Sequence, residues 1–321
     1  MIDNLPVKKI PLPTPFPVGD INAYLIMSDP LTIVDPGPYY RPAGEALKSA
    51  VSQAGIGLED IKRIVITHGH PDHYGMAGKI QKDTGAEIYV RDIEIKKLVL
   101  DDNYVNSLRA TLYSTGIKKD ILDLDGLFRG EVPFTHSIED IVPFSEKSGI
   151  EFKDFRIKLL HTPGHSSGHT CLYWEEKGVL FSGDSLLPDI SAIPSIEYDP
   201  GSKNLRGRSL SQFFQTFELI SSLKPSVCLP GHGEAVSKPG ELAKSRIDFH
   251  KSRLDEIYDI VPPGGESPVS AYRIAGIYYP EVRGFDRLLS VIEVVSHLDF
   301  LVDEGRINEQ INEDGVSLFY R

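Results

Sequence analysis

A strand-like run, Ile61 to Thr67, passes directly into Thr67-His68-Gly69-His70-Pro71-Asp72-His73, which packs four potential metal ligands into six positions. Turn chemistry gives no reason for that density. Imidazoles at i and i+2 of an extended segment point the same way, so His68 and His70 can share one metal ion, and the turn at Pro71 sends Asp72 and His73 toward a second. A fold that uses this segment must hold a strand end rigidly and bring other ligands up to it.

Three further candidates obey the same positional rule. His165 follows the strand pattern Phe155 to Leu160, Asp184 follows Gly178 to Ser182, and His232 follows Ser226 to Pro230. Loops leaving one edge of layered strands converge in space, and α/β folds build their sites there. The glycines Gly164, Gly183, Gly231 and Gly233 suit sharp turns that carry a ligand inward. The rest of the first 240 residues agrees with an α/β layered domain. Ala23 to Met27 and Leu31 to Asp35 read as a hairpin. Leu47, Ala50, Val51 and Ala54 mark an amphipathic helix, and Ala86 to Val90 and Thr170 to Trp174 read as strands.

Two stretches break this rhythm, residues 93 to 148 and 186 to 209, and both are read as insertions facing a substrate. After Gly240 the order becomes helix, helix, helix, hairpin. The helical period runs from Glu241 to Ile260, Ser267-Pro268 reads as the start of a second helix, and Leu288, Leu289, Ile292, Val295, Leu298, Leu301 and Val302 line one face of a third. Arg306 to Arg321 reads as two strands around Glu313-Asp314-Gly315. This resembles a winged-helix module, and two domains are expected, residues 1–240 and 241–321.

Composition bears on compartment and partners. The 321 residues carry a formal charge of −12, with two cysteines, Cys171 and Cys228. So few thiols fit core positions in a reducing compartment. The proline-rich opening holds no apolar stretch of signal-peptide length, and nowhere do eighteen apolar residues run together. A cytoplasmic protein without membrane contact is expected. The negative balance disfavours phosphate backbones. From Glu241 onward there are nine Lys and Arg against fifteen Asp and Glu, a net of −6, and Arg287 is the lone cation from Phe285 to Glu304. Counterion release there would be poor, so a structural or dimerising role is expected for this module and nucleic acid is disfavoured as a partner.

In order along the chain, Asp35, His68-x-His70-x-Asp72-His73, His161-Thr-Pro-Gly-His165, Ser182-Gly-Asp184 and Pro230-Gly-His232-Gly resemble the five-motif signature of the metallo-β-lactamase superfamily over roughly residues 20 to 235. The resemblance implies an αββα sandwich with a smaller C-terminal winged-helix domain. It implies that His68, His70 and His165 bind a first metal, that Asp72, His73 and His232 bind a second, and that Asp184 bridges them. Two divalent ions are expected, with zinc best suited to five imidazoles and two carboxylates and iron or manganese compatible. Antibiotic-hydrolysing members commonly use a cysteine at the second site; this chain has none there, and so looks closer to the glyoxalase II and RNase Z type.

The expected function is a binuclear metal-dependent hydrolase in which hydroxide held by the ions attacks an ester, thioester or lactone carbonyl of a small molecule, itself anionic or carbonyl-containing. Asp72 is the expected catalytic residue, holding the proton of that hydroxide. The alternatives are an endoribonuclease cleaving single-stranded RNA and a metal- or ligand-sensing regulator that binds DNA. His161, His169 and Asp35 are expected behind the ligands as hydrogen-bonding partners, and Tyr74 as a packed aromatic. Arg129, Lys203, Arg206 and Arg208 are expected as solvated loop charges. His136, His250 and His297 are assigned no function.

Overall fold

A computed structural model describes residues 4–118, 134–145, 149–202, 204–264 and 267–321. Arg129 and Lys203 lie outside the described residues. The strands β1 (Val7–Leu12), β2 (Ile21–Ile26), β3 (Thr32–Val34), β4 (Arg63–Val65), β5 (Glu87–Arg91) and β6 (Ile141–Phe144) form one sheet in that order. Its first three strands pair antiparallel and β3 to β6 pair parallel. A second sheet has the order β11 (Val227–Pro230), β10 (Val179–Gly183), β9 (Thr170–Trp174), β8 (Arg156–His161) and β7 (Gly149–Glu151), parallel only between β10 and β11.

The helices that belong to these sheets are α1 (Arg41–Gln53), α2 (Pro71–Tyr74), α3 (Ala77–Thr84), α4 (Ile95–Leu98), α5 (Asp102–Ser114), α6 (Ser209–Leu223) and α7 (Pro239–Ile260). Period-two alternation explains how four layers stack. Tyr24, Ile26, Val34 and Val65 of the first sheet face Leu172, Trp174, Phe181 and Leu229 of the second. Their neighbours point the other way: Ala23, Leu25, Ile33 and Ile64 pack on Leu47 and Val51 of α1 and Ile80 of α3. Cys171, Tyr173, Leu180 and Cys228 pack on Phe213, Phe217 and Ile220 of α6 and Ala243 of α7. Strands buried on both faces need near-continuous apolar runs, which is why these segments stand out in the sequence. The result is the expected αββα sandwich, with both cysteines in its core.

β1 is hidden in the sequence by Pro11 within it and the prolines that flank it. Pro11 is tolerated because β1 is an edge strand, where one missing donor breaks no internal ladder.

At the C-terminal end, α8 (Ala271–Tyr278), α9 (Gly284–Asp303) and a three-stranded sheet, β12 (Val269–Ser270), β14 (Ser317–Tyr320) and β13 (Asn308–Ile311), follow α7. The second helix starts later than Ser267-Pro268 suggests. Val269 and Ser270 pair with Phe319 and Leu318, and the Ser270 hydroxyl then caps the helix by accepting from the Arg273 amide. Leu254, Ile257, Ile274, Val291, Val294, Leu298 and Phe319 share one core cluster with Leu112 and Ile117 at the end of α5 and with Ile196 and Leu210. His250 and His297 are buried in this region, their rings 3.1 Å apart from Nδ1 to Nε2. No helix among the described residues is long and apolar enough to cross a membrane.

Arg206 is not a solvated charge. Its side chain is 1% exposed and donates to both oxygens of Asp299 on α9, to Glu309 at 2.7 Å and to Ser317 at 2.9 Å. Arg208 pairs with Asp303 at the end of the same helix, 2.6 Å away. The segment 186–209 is thus fastened to the C-terminal unit. Arg206→Leu leaves the Asp299 carboxylate buried without its partner and is expected to cost about 3–5 kcal/mol, whereas Arg206→Leu with Asp299→Leu is expected to cost much less. Urea denaturation of the three proteins measures this; equal losses in the single and double variants would contradict it.

Candidate metal centre

Each ligand candidate stands just beyond a strand end, and all the strand ends lie at one rim. β3 and β4 are parallel neighbours in one sheet; β10 and β11 are parallel neighbours in the other, with β8 parallel to β10 through β9. Hydrogen bonds sew the sheets together there. The Asn22 amide donates to the Gly231 carbonyl and the Thr170 amide to the Thr67 carbonyl, while within the second sheet the Gly231 amide donates to the Gly183 carbonyl. His70 ends the extended segment, and Pro71 at the first position of α2 turns the chain so that Asp72 and His73 follow on a helical turn.

The seven predicted side chains converge. One nitrogen each from His68, His70 and His165 forms a cluster in which His70 Nδ1 lies 2.9 Å from both His68 Nε2 and His165 Nε2. Asp72, His73 and His232 form a second cluster, with His232 Nε2 3.4 Å from Asp72 Oδ2. Asp184 lies between them, 3.3 Å from His73 Nε2, 3.6 Å from His165 Nε2 and 3.7 Å from His232 Nε2. Gly231 is required for this approach. A Cβ there would stand 2.3 Å from Asp184 Oδ1 and 2.8 Å from the His73 ring.

Hydrogen bonds on the outer side of the rings fix their tautomers. His165 Nδ1 faces the Ile193 carbonyl at 3.0 Å and His232 Nδ1 the Asp20 carbonyl at 2.9 Å, so both must donate. His73 Nδ1 donates to Asp35 Oδ2 at 2.8 Å. Thr67 gives its hydroxyl proton to Asp35 and so accepts from His68 Nδ1. In the neutral form of all four rings the inner Nε2 therefore presents a lone pair. Two of these pairs crowd His70 Nδ1, and two face carboxylates. His73 Nε2, His232 Nε2 and Asp184 Oδ1 are buried with no hydrogen-bond partner among the described residues. Converging lone pairs and unsatisfied carboxylate oxygen are costly in a buried cluster, and a divalent cation satisfies both.

The electrostatics point the same way. Burial, with the neighbouring rings, pushes His68 well below the usual imidazole range and His70 down to about 3; burial also lowers His165. Burial opposes charge on His73 as well, but Asp184, Asp35 and Asp72 together hold it well above its ordinary value; Asp184 and Asp72 raise His232 against the same opposition. Asp184 is held well below the carboxylate range by His73 and His232 despite its burial. One half of the cluster thus offers neutral ligands, and the half that holds the carboxylates attracts positive charge.

Asp35 adopts φ 48°, a left-handed backbone uncommon for a residue with a side chain, and its carboxylate receives Thr67 and His73. His169 Nε2 accepts the Asp184 amide at 3.1 Å, and its Nδ1 meets Thr162 and Ser185. His161 Nε2 meets the Ser167 carbonyl. Tyr74 is packed in the helix-side core, and His136 stands against Tyr39, away from the cluster. Missed by sequence reasoning were Glu94, Lys97 and Glu197, buried charges beneath the loops that carry His68, His70 and His165.

Comparison with known proteins agrees with the geometry. The family described as the metallo-β-lactamase superfamily matches residues 16–232. The probable metallo-hydrolase YqjP of Bacillus subtilis is 28% identical over 309 residues, covering 93% of this chain and 92% of that protein. The β-lactamase-like protein 2 homolog of Drosophila melanogaster is 22% identical over 261 residues, covering 81% and 75%. Among solved structures, the metallo-β-lactamase family protein TTHA1429 from Thermus thermophilus superposes with a TM-score of 0.84 at 23% identity, covering 98% of each chain. That likeness of fold includes the C-terminal elements.

Proposed function

This chain belongs to the metallo-β-lactamase superfamily, and from that premise we propose that it is a binuclear metal-dependent hydrolase of the glyoxalase II type, acting on a small, uncharged ester, thioester or lactone. The observation that carries the reading is the set of inward imidazole nitrogens with their outer nitrogens tied off, facing two carboxylates. His68, His70 and His165 would hold one ion, Asp72, His73 and His232 the other, and Asp184 both. Two such ions supply Lewis acidity for the carbonyl oxygen and make hydroxide available near neutral pH; zinc fits the donor set best.

The chain's own residues do the rest. The Asp72 carboxylate takes the proton of the attacking water and directs its lone pair at the acyl carbon. Asp35, the Ile193 and Asp20 carbonyls and His169 hold the inner rings and Asp184 in place, which keeps the reacting geometry from drifting as charge develops. The carbon–oxygen or carbon–sulfur bond then breaks, leaving a carboxylate and an alcohol or thiol.

A cleft beside His232 supports the substrate class. Its volume is about 480 Å³, enough for a small molecule. Pro11, Val18, Leu187, Pro188 and Ile190 are the apolar part of its lining, to which the first part of segment 186–209 contributes. Asp20, Asp189 and Glu234 share that lining with Lys9, which already pairs with Glu234. This acidic excess disfavours an oligonucleotide and favours an uncharged carbonyl over an anionic substrate. The DNA-binding alternative is weakened by α9, whose Leu288, Val291, Val294, Val295, Leu298, Asp299 and Leu301 are all buried. A structural role for the C-terminal unit fits better.

Purified protein carrying two zinc ions per chain is expected to hydrolyse members of a panel of uncharged lactones, esters and thioesters and to leave single-stranded RNA intact at low salt. Cleavage of RNA with an inert acyl panel would replace this reading by the nuclease.

A further inference from the structure

The loops that carry the first cluster of ligands rest on a buried ionic group that touches none of the second. Glu94 follows β5 and is fully buried. Its Oε2 accepts the amide of Gly69, the residue between His68 and His70, at 2.7 Å. Its Oε1 accepts the Gly168 amide and the Ser166 hydroxyl, each at 2.7 Å, from the loop that begins at His165. One carboxylate thus spans both ligand-bearing loops. Lys97, one turn on in α4, donates to Glu94, to Ser166 and to Glu197. Glu197, from the second insertion, also accepts the Ser167 amide at 3.3 Å. The fit is tight: a Cβ on Gly69 would lie 2.9 Å from Lys97 Cβ and 3.0 Å from Glu94 Oε2.

None of the second cluster's ligands touches this ionic group: His73 is held by Asp35, which also reaches His68 through Thr67, and His232 by the Asp20 carbonyl. The two clusters also differ in charge. His68, His70 and His165 are all imidazoles, whereas the other set includes Asp72. Two carboxylates against one ammonium leave a net negative charge beneath the imidazole-only cluster, where an approaching cation would feel it with little screening.

We propose that Glu94, braced by Lys97 and Glu197, is a positioning residue that fixes the separation of His68, His70 and His165 and thereby sets the metal affinity of that site independently of the other. The inference rests on the two-ion reading above. Glu94→Gln puts an amide N–H against one of the backbone donors and removes the charge, so one loop loses its anchor while the ring ligands stay intact.

The test is a zinc titration of metal-free protein against a chromophoric chelator, which resolves the two binding steps. In Glu94→Gln one step is expected to weaken by about 10–100-fold, the same step that His165→Ala abolishes, while the step that His232→Ala abolishes keeps its wild-type constant. Both constants unchanged, or both lowered together, in a variant with wild-type circular dichroism would overturn the proposal. Should Glu94→Gln fail to fold, Ser166→Ala removes a single donor to the same carboxylate and must weaken the same step by a smaller factor; an unchanged step there overturns it equally. Wild-type protein that takes up fewer than two ions would instead overturn the two-ion reading itself.

Discussion

Replacing His68 and His70 by alanine together is expected to abolish hydrolysis and to remove the ion held with His165. These two rings contribute two of the three inner nitrogens of that cluster, and His165 with Asp184 is too small a ligand set to retain a divalent ion tightly. A bound metal would make hydroxide available near neutral pH, so the loss in kcat should be on the order of 10⁴-fold or more. A readout independent of turnover is thermal stability. An ion at about 1,000 times its dissociation constant stabilises the folded chain by about 4 kcal/mol, and each kcal/mol moves the midpoint by about 2–4 °C in a domain of this size class. A chelator should therefore lower the melting temperature of the wild type by several degrees and that of the double variant far less. Activity that survives both chelation and the double substitution would remove the metal from the reaction.

Asp184→Asn is the second large effect. Asp184 is the carboxylate that meets rings from both clusters, and the amide keeps its shape while removing its charge and half of its acceptor capacity. The His169 contact to its backbone amide is untouched, so the loop should stay in place. Metal content is expected to fall from two ions per chain toward one, and kcat/KM by about 10³-fold, in line with the loss of two-metal activation. Elemental analysis after gel filtration, with kinetics on the same sample, checks both. A variant that retains two ions and near wild-type turnover would show that Asp184 has no bridging role.

The ligand loops were legible because their chemistry is local. Two imidazoles at alternate positions of an extended segment, or a glycine beside an aspartate at a strand end, declare themselves within a few residues. The sandwich strands were legible for a related reason, since burial on both faces leaves an apolar signature that no other use of the segment requires. What stayed hidden depends on partners far away in the chain. Glu94 meets Gly69 and Gly168, Lys97 meets Glu197 across one hundred positions, and Arg206 meets Asp299 across ninety-three. Each looks like an ordinary charge in a polar stretch, and only tertiary contact distinguishes a clamp from a solvated side chain. The Glu94 and Lys97 spacing of i, i+3 was the one faint signal, and many surface helices share it. β1 was hidden differently, by Pro11, which an edge strand tolerates.

The mixed cluster at Leu112, Ile117, Ile196 and Leu210 bears on how the molecule can be taken apart. Truncation near residue 240 would strip these side chains of their apolar cover and strand the Arg206 guanidinium without Asp299 and Glu309. The first 240 residues are therefore not expected to survive simple deletion of the rest: shortening the chain exchanges an interior for a sticky surface, and any minimal version must be redesigned along that seam.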